Sequence, residues 1–342
     1  MGRGTIAIEE ATIDPGSIWT LPEAVQFLNP GQEVTNETVQ RHAVTLGDLE
    51  ERLRHMDAEG VEYMLLSLTS PGPQGQPDPA VAEQTARAAN DWLAGEAAKH
   101  PTRFGGLAAL SMHNATQAAE ELKRAVGLGM FGAMINDFQS TGNDGKGRKY
   151  YDEEEYDVFW AAVQELGVPV YFHPRWPPLV EIKPGSEVSY APRTHLLGAA
   201  VQFHLDLSFH LYAVISSGVF DRYPDVQIVA GHMGEGIPFN LWRANSWYNK
   251  PSKKATRPSK EDYGYYFARN VHITTSGFFS TPNLKFVIDQ LGVDRVLYSI
   301  DTPYDTVKAG QDWWKSVSLP GDQKEVVGRS NAIKLFKLPL EL

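Results

Sequence analysis

The chain of 342 residues carries 31 lysines and arginines against 42 aspartates and glutamates, a formal net charge of −11, with 42% hydrophobic residues and no cysteine. That content fills a sizeable core, and the missing thiols exclude disulfides and thiolate metal sites. No basic tract could follow a phosphate backbone and no run of about 18 apolar residues could span a bilayer, so no nucleic acid and no membrane is expected as a partner and a cytoplasmic location is expected.

The first residues, Met-Gly-Arg-Gly-Thr-Ile-Ala-Ile, lead into a strand without the apolar core of a signal peptide. Short apolar runs then lie at 5–8, 62–68, 104–110, 132–136, 168–172, 226–230, 271–275 and 296–300. They are near-continuous rather than alternating, as parallel strands covered on both faces require. Helical patterns fill most of the gaps. Leu46, Leu49, Leu53 and Met56 share one helix face ahead of Gly60, and Tyr156, Phe159, Trp160, Val163 and Leu166 share another ahead of Gly167. After the seventh run, Ser280 or Thr281 caps a helix with Pro282 in its first turn, closed by Gly292. Strand and helix alternating eight times predict an α/β fold, a (β/α)8 TIM barrel in one domain over 1–342. A doubly wound sheet would need a glycine-rich phosphate loop after an early strand, and the sequence has none. Segments 11–45 and 174–225 are too long for ordinary barrel loops and are expected over the C-terminal face as lids or oligomer contacts; the second contains a predicted helix at about 195–217.

Such a barrel gathers the carboxyl ends of its strands at one mouth, and four residues suited to metal or proton chemistry follow four of the runs. Glu9 ends the first, in Ile-Ala-Ile-Glu-Glu-Ala, where period-two alternation decides between Glu9 and Glu10; Glu9 is the choice made here. His173 ends the fifth, and Pro174 holds it extended and stops the strand. His232 ends the sixth inside Gly-His-Met-Gly-Glu-Gly, with the Glu235 carboxylate three residues on to orient its ring. Asp301 ends the eighth, in Ser-Ile-Asp-Thr-Pro. A Glu, a His and an Asp offer mixed oxygen and nitrogen ligation to one divalent metal ion, Zn²⁺, Mg²⁺ or Mn²⁺, with His232 left for proton transfer. Arg243 could take a carboxylate bidentately, Trp176 and Tyr304 suit a flat ring, and Asn136 and Asp137 at the fourth run suit a hydroxyl.

Taken in order, Ile-Ala-Ile-Glu-Glu-Ala, Tyr-Phe-His-Pro-Arg, Gly-His-Met-Gly-Glu and Ser-Ile-Asp-Thr-Pro resemble the metal-dependent aromatic acid decarboxylases of the amidohydrolase superfamily, the 2,3-dihydroxybenzoate and γ-resorcylate (2,6-dihydroxybenzoate) decarboxylase group. Leu-Ser-Leu-Thr-Ser-Pro-Gly at 66–72, Ala-Leu-Ser-Met-His-Asn at 109–114 and Gly-Arg-Ser-Asn-Ala-Ile-Lys-Leu-Phe at 328–336 extend the resemblance over essentially the whole chain. Hydrolytic members of the superfamily usually carry His-x-His after the first strand, where this chain has Glu9 and Ala11. The resemblance implies metal ligation by Glu9, His173 and Asp301, a proton relay of His232 and Glu235, Arg243 near the substrate carboxylate, and a homotetramer or homodimer. It implies non-oxidative decarboxylation of a small aromatic acid, an ortho-hydroxybenzoate, with Asp301 protonating the ring carbon and no organic cofactor. The alternative on the same barrel is a metal-dependent hydrolase of a lactone, amide or ester. Two departures, Thr302 where relatives carry Tyr and the segment His204-Leu205-Asp206, leave the ring substitution open, and Thr302 is expected to change the pocket or its surroundings.

Overall fold

Eight parallel strands appear among the described residues of the computed structural model, which are 3–28, 33–143, 145–178 and 193–342. They are β1 (Thr5–Thr12), β2 (Val61–Leu68), β3 (Phe104–Gly106), β4 (Ala133–Asn136), β5 (Val170–His173), β6 (Ile228–Ala230), β7 (Val271–Thr274) and β8 (Val296–Leu297). Ladders run β1–β2–β3 and β4–β5–β6–β7–β8, and a parallel bridge from Ala108 to Ala133 joins the two sets. The result is the predicted (β/α)8 barrel, with a separate hairpin, Gln139–Thr141 with Gly147–Lys149, after β4.

Burial on both faces explains the near-continuous apolar runs. On β5, Tyr171 packs with Ile6, Ile8, Leu65, Val229 and Leu297 inside the barrel, while Val170 and Phe172 face the helical layer. Ile333, Phe336 and Leu338 from the end of the chain complete the inner cluster. The helices end where glycine allows a left-handed residue: Leu49–Glu59 stops at Gly60 (φ 85°) and Asp157–Leu166 at Gly167 (φ 59°).

β3 and β8 lose most of their predicted length, and side chains take up hydrogen bonds beyond their ends. Beyond β3, the Ala109 N–H donates to Asn90 Oδ1 at 2.9 Å. Beyond β8, the Ser299 N–H donates to Thr275 Oγ1 at 3.0 Å and the Ile300 N–H to Glu10 Oε1 at 3.0 Å. The helix predicted at about 195–217 begins later, at Gln202, and ends at Ser216. Gly198 (φ 65°) and Val201 (φ −148°, ψ −47°) break the chain before it into two 3₁₀ turns. The first long segment contains a 3₁₀ turn, Pro15–Thr20, and helices Leu21–Leu28 and Asn36–Gly47. Residues 29–32 and 179–192 of the two long segments lie outside the described residues. No helix among the described residues is long and apolar enough to cross a membrane.

The barrel closes between β8 and β1 without a ladder. Ser299 Oγ accepts the N–H groups of Ile8 (3.1 Å) and Glu9 (2.8 Å) and donates to Glu10 Oε1 (2.9 Å). Glu10 Oε2 accepts the Thr302 N–H at 3.0 Å and bonds the Thr302 hydroxyl, and the Ala11 N–H reaches Thr302 O at 2.7 Å. Thr302, expected to change the pocket or its surroundings, is thus buried in this closure. Burial raises the Glu10 pKa from 4.5 to about 7, against the hydrogen bonds from Thr302 and Ile300 and the charge of Arg52.

In Glu10→Gln an NH₂ group replaces one accepting oxygen and at least one buried donor loses its acceptor, so urea unfolding should show a loss of about 1–3 kcal/mol. The native state holds the Glu10 proton that the unfolded chain releases above pH 4.5, so the wild-type advantage over Glu10→Gln should shrink as pH rises from 4.5 to about 7. An advantage that widens over that window would show Glu10 held as an anion.

Candidate metal centre and active site

Strict alternation continued from the inward-facing Ile6 and Ile8 selects Glu10 for the mouth. A β-bulge decides otherwise: Ala7 pairs with Met64 and Glu10 with Leu66, so β1 has one residue more than β2 between these pairs. Both acids are buried, Glu10 against the end of β8 and Glu9 among residues of β5, β6 and β7. Glu9 Oε2 accepts the Tyr171 hydroxyl, which also lies 2.8 Å from Thr274 Oγ1. Glu9 Oε1 is buried with no hydrogen-bond partner and lies 3.3 Å from both His173 Nε2 and His232 Nε2.

Local sequence sets each of the other groups. His173 ends β5, and its Nδ1 donates to the carbonyl of the following Pro174 at 2.6 Å, which leaves Nε2 with its lone pair. After β6 the backbone makes a left-handed turn, with φ of 48°, 57°, 79°, 53° and 73° from His232 through Gly236. Each non-glycine residue there costs about 1–2 kcal/mol. The turn sets His232 Nδ1 2.6 Å from Glu235 Oε1. Gly231 must be glycine, because a Cβ there would fall 2.7 Å from Glu9 Oε2. Asp301 also has a positive φ, 79°, fixed by the Glu10 bonds to the N–H groups on either side of it, and its Oδ2 lies 3.7 Å from His232 Nε2.

Ligand atoms of Glu9, His173, His232 and Asp301 all lie within 4.8 Å of one another. Ligands about 2.0–2.2 Å from one ion stand up to about 4.4 Å apart. This cluster, with an unpartnered buried carboxylate oxygen and a His173 Nε2 lone pair, fits a divalent ion after a slight contraction. Charges are strongly coupled here. Burial opposes ionisation of Glu9, but the charge of His232 and the closeness of the His173 and His232 rings hold its pKa down to about 2. Burial likewise opposes the charge on His232, yet Glu9 and Glu235 raise its pKa well above the usual range. Asp301 is pushed up to about 6 by burial and by Glu9, against the hydrogen bond and charge of His232.

The structure thus brings together Glu9, His173, His232, Glu235 and Asp301. Asn136 pairs across the ladder with His173, its Oδ1 buried and unpartnered. Tyr304 is partly exposed, its hydroxyl against Thr69 Oγ1. Asp137 instead meets His210 Nδ1 at 3.2 Å on the helix Gln202–Ser216, Trp176 packs on Phe203, and Arg243 is exposed on the helix Ile237–Tyr248 and joins none of these hydrogen bonds. Sequence reasoning missed Tyr171 and Thr274, although period two counted back from His173 points to Tyr171. It also missed the bond from His204 Nδ1 to Glu235 Oε2, 2.9 Å.

The profile of the amidohydrolase family matches residues 38–338. Among curated proteins, a γ-resorcylate decarboxylase of Rhizobium sp. (strain MTP-10005) is 39% identical over 340 residues, 98% of this chain and 99% of its own. The chain belongs to the amidohydrolase family. Within it, a crystal structure of 2,6-dihydroxybenzoate decarboxylase complexed with 2,6-dihydroxybenzoate superposes with a TM-score of 0.87 at 38% identity, covering 98% of this chain and 99% of that one. A dihydroxybenzoic acid decarboxylase of Polaromonas sp. JS666, with bound manganese and the inhibitor 2-nitroresorcinol, gives 0.88 at 36% identity, covering 99% and 98%. As an amidohydrolase-family member the chain departs from the His-x-His pattern in its fold as in its sequence: Ala11 supplies no side-chain ligand and its N–H is spent on barrel closure.

Adding Mn²⁺ to chelator-treated protein should stabilise it by about 2.7 kcal/mol with the ion at 100 times its Kd, read by calorimetry. Glu9→Gln and His173→Ala should each abolish that increment; retention of it in both would remove these side chains from the metal site.

Proposed function

We propose that this chain is a carboxy-lyase that removes CO₂ non-oxidatively from an ortho-hydroxybenzoic acid, with one divalent metal ion held by Glu9, His173 and Asp301. The observation that carries the reading is the convergence of these three residues, with His232 bonded to Glu235, at one end of a barrel 39% identical over nearly its whole length to a γ-resorcylate decarboxylase. The manganese in the Polaromonas relative supports the choice of a divalent ion, and the ligands of the two solved relatives support a small aromatic acid as substrate.

When bound, the ion supplies positive charge that orients the substrate carboxylate and ortho oxygen and stabilises negative charge on them. Asp301 carries the proton delivered to the ring carbon bearing the carboxylate; burial and Glu9 raise its pKa to about 6, closer to neutral pH than an ordinary carboxyl. His232 has a carboxylate at each nitrogen, Glu235 at Nδ1 and Glu9 and Asp301 about Nε2, so it serves as a proton carrier rather than a ligand. The Tyr171 hydroxyl holds the Glu9 carboxylate at Oε2, in space that Gly231 leaves open by having no Cβ. Among substrates, 2,6-dihydroxybenzoate is the first to test, ahead of 2,3-dihydroxybenzoate, salicylate and orsellinate.

Self-association to a dimer or tetramer and a cytoplasmic location complete the reading. Phe239 and Trp242, 81% and 79% exposed on the helix that bears Arg243, offer an apolar face for a second copy. Light scattering should give an assembly larger than 38.0 kDa, reduced by Trp242→Glu.

CO₂ release from the hydroxybenzoate panel, run beside hydrolysis of lactones and esters, tests the function. Asp301→Asn should bind substrate with little change and lose about 10²–10⁴-fold in kcat; near-normal CO₂ release from that variant would remove Asp301 as the proton donor.

A further inference from the structure

Decarboxylation of a hydroxybenzoate anion consumes one proton per turnover. A ring C–H bond replaces the C–C bond, the electron pair of the broken bond returns to the ring, the carboxylate leaves as neutral CO₂, and Asp301 is left needing a proton from water. The groups around it are poorly placed to meet water: the side chains of Glu9, His232 and Glu235 are 3%, 10% and 0% exposed, and Asp301, at 17%, lies at the mouth that a bound ring would cover.

One path of polar side chains leads outward, an ion-pair contact followed by two hydrogen bonds. Asp301 Oδ2 lies 3.7 Å from His232 Nε2, His232 Nδ1 lies 2.6 Å from Glu235 Oε1, and Glu235 Oε2 lies 2.9 Å from His204 Nδ1. Each Glu235 oxygen takes the Nδ1 of one imidazole, and the His204 side chain is 30% exposed, the most open of the four. We infer that His204 is the solvent end of a proton relay that resupplies Asp301 through Glu235 and His232. With the relay proton on Glu235 Oε1, that proton moves to His232 Nδ1 as Nε2 delivers its own to Asp301, the His204 Nδ1 proton moves to Oε2, and a proton from water enters at His204 Nε2; one proton enters, one reaches the ring carbon, and no electrons move. His204 touches no reacting atom. Its part is to connect and hold Glu235, which requires an imidazole with both nitrogens in use.

This inference rests on the decarboxylase reading, so wild-type CO₂ release from the hydroxybenzoate panel comes first; none from any member overturns that reading and the relay with it. With an active wild type, His204→Ala should lose about tenfold or more in kcat with KM nearly unchanged, and imidazole in the buffer should restore kcat saturably. His204→Gln keeps an N–H donor for Glu235 but cannot pass a proton through, so it should fold and gain stability from Mn²⁺ like wild type yet show the same loss in kcat. Wild-type kcat in either variant, or a loss in His204→Ala that imidazole leaves unrestored, would overturn the relay.

Discussion

Glu10 closes one of the two joints where, among the described residues, this barrel lacks a full ladder; the other, between β3 and β4, has the single bridge of Ala108 and Ala133. Between β8 and β1 the backbone ladder gives way to the Glu10 carboxyl, Ser299 and Thr302, and the same bonds to the N–H groups of Ile300 and Thr302 hold Asp301 between them with a positive φ. Burying a carboxyl is costly unless donors surround it, and here Ser299, Ile300 and Thr302 do so. Closure and site are therefore one structure: the bulge that lets Glu10 reach β8 also turns Glu9 towards β5 and β6. A change that loosens the seam must displace Glu9 and Asp301 together, from opposite sides of the joint.

What the seam assembles is an excess of acid in a nearly dry place. Glu9, Glu235 and Asp301 stand within two hydrogen-bond lengths of one another through His232, where the low dielectric makes each charge felt by the next. Either cations enter or protons stay. A divalent ion answers one side of that demand and His232 the other, so the depressed Glu9, the elevated Asp301 and the elevated His232 are three views of one imbalance. The left-handed turn from His232 to Gly236 is tolerated for the same reason: an ordinary helical turn would not set Glu235 against His232 Nδ1 while leaving Nε2 for Glu9.

Local chemistry made much of this legible in the sequence, and distance hid the remainder. His173 before Pro174, and His232 among glycines, carry their own signals for strand end and turn, and eight apolar runs suffice for the barrel. Alternation from Ile6 and Ile8 favours Glu10, and nothing local in the sequence marks the bulge that brings Glu9 to the mouth instead, since a bulge depends on the pairing partner, Leu66, more than fifty residues away. β3 and β8 were drawn too long because Asn90 and Glu10, far along the chain, take over their hydrogen bonds. Asp137 adjoins Asn136 in sequence, yet period two sends it to His210.

Thr302, the departure expected to change the pocket or its surroundings, lies in the surroundings. A small hydroxyl where relatives carry an aromatic ring invites an account in terms of pocket volume, but Thr302 is buried and both its hydroxyl and its N–H serve Glu10. Its effect is exerted on the backbone beneath Asp301, and so on the orientation of the proposed acid. On the proposed function, the groups to meet the ring substituents are the exposed Tyr304, its hydroxyl against Thr69 Oγ1, and Asn136, its Oδ1 buried and unpartnered beside His173. Under the proposed function, selectivity among hydroxybenzoates falls to those two side chains and the aim of the acid to Thr302.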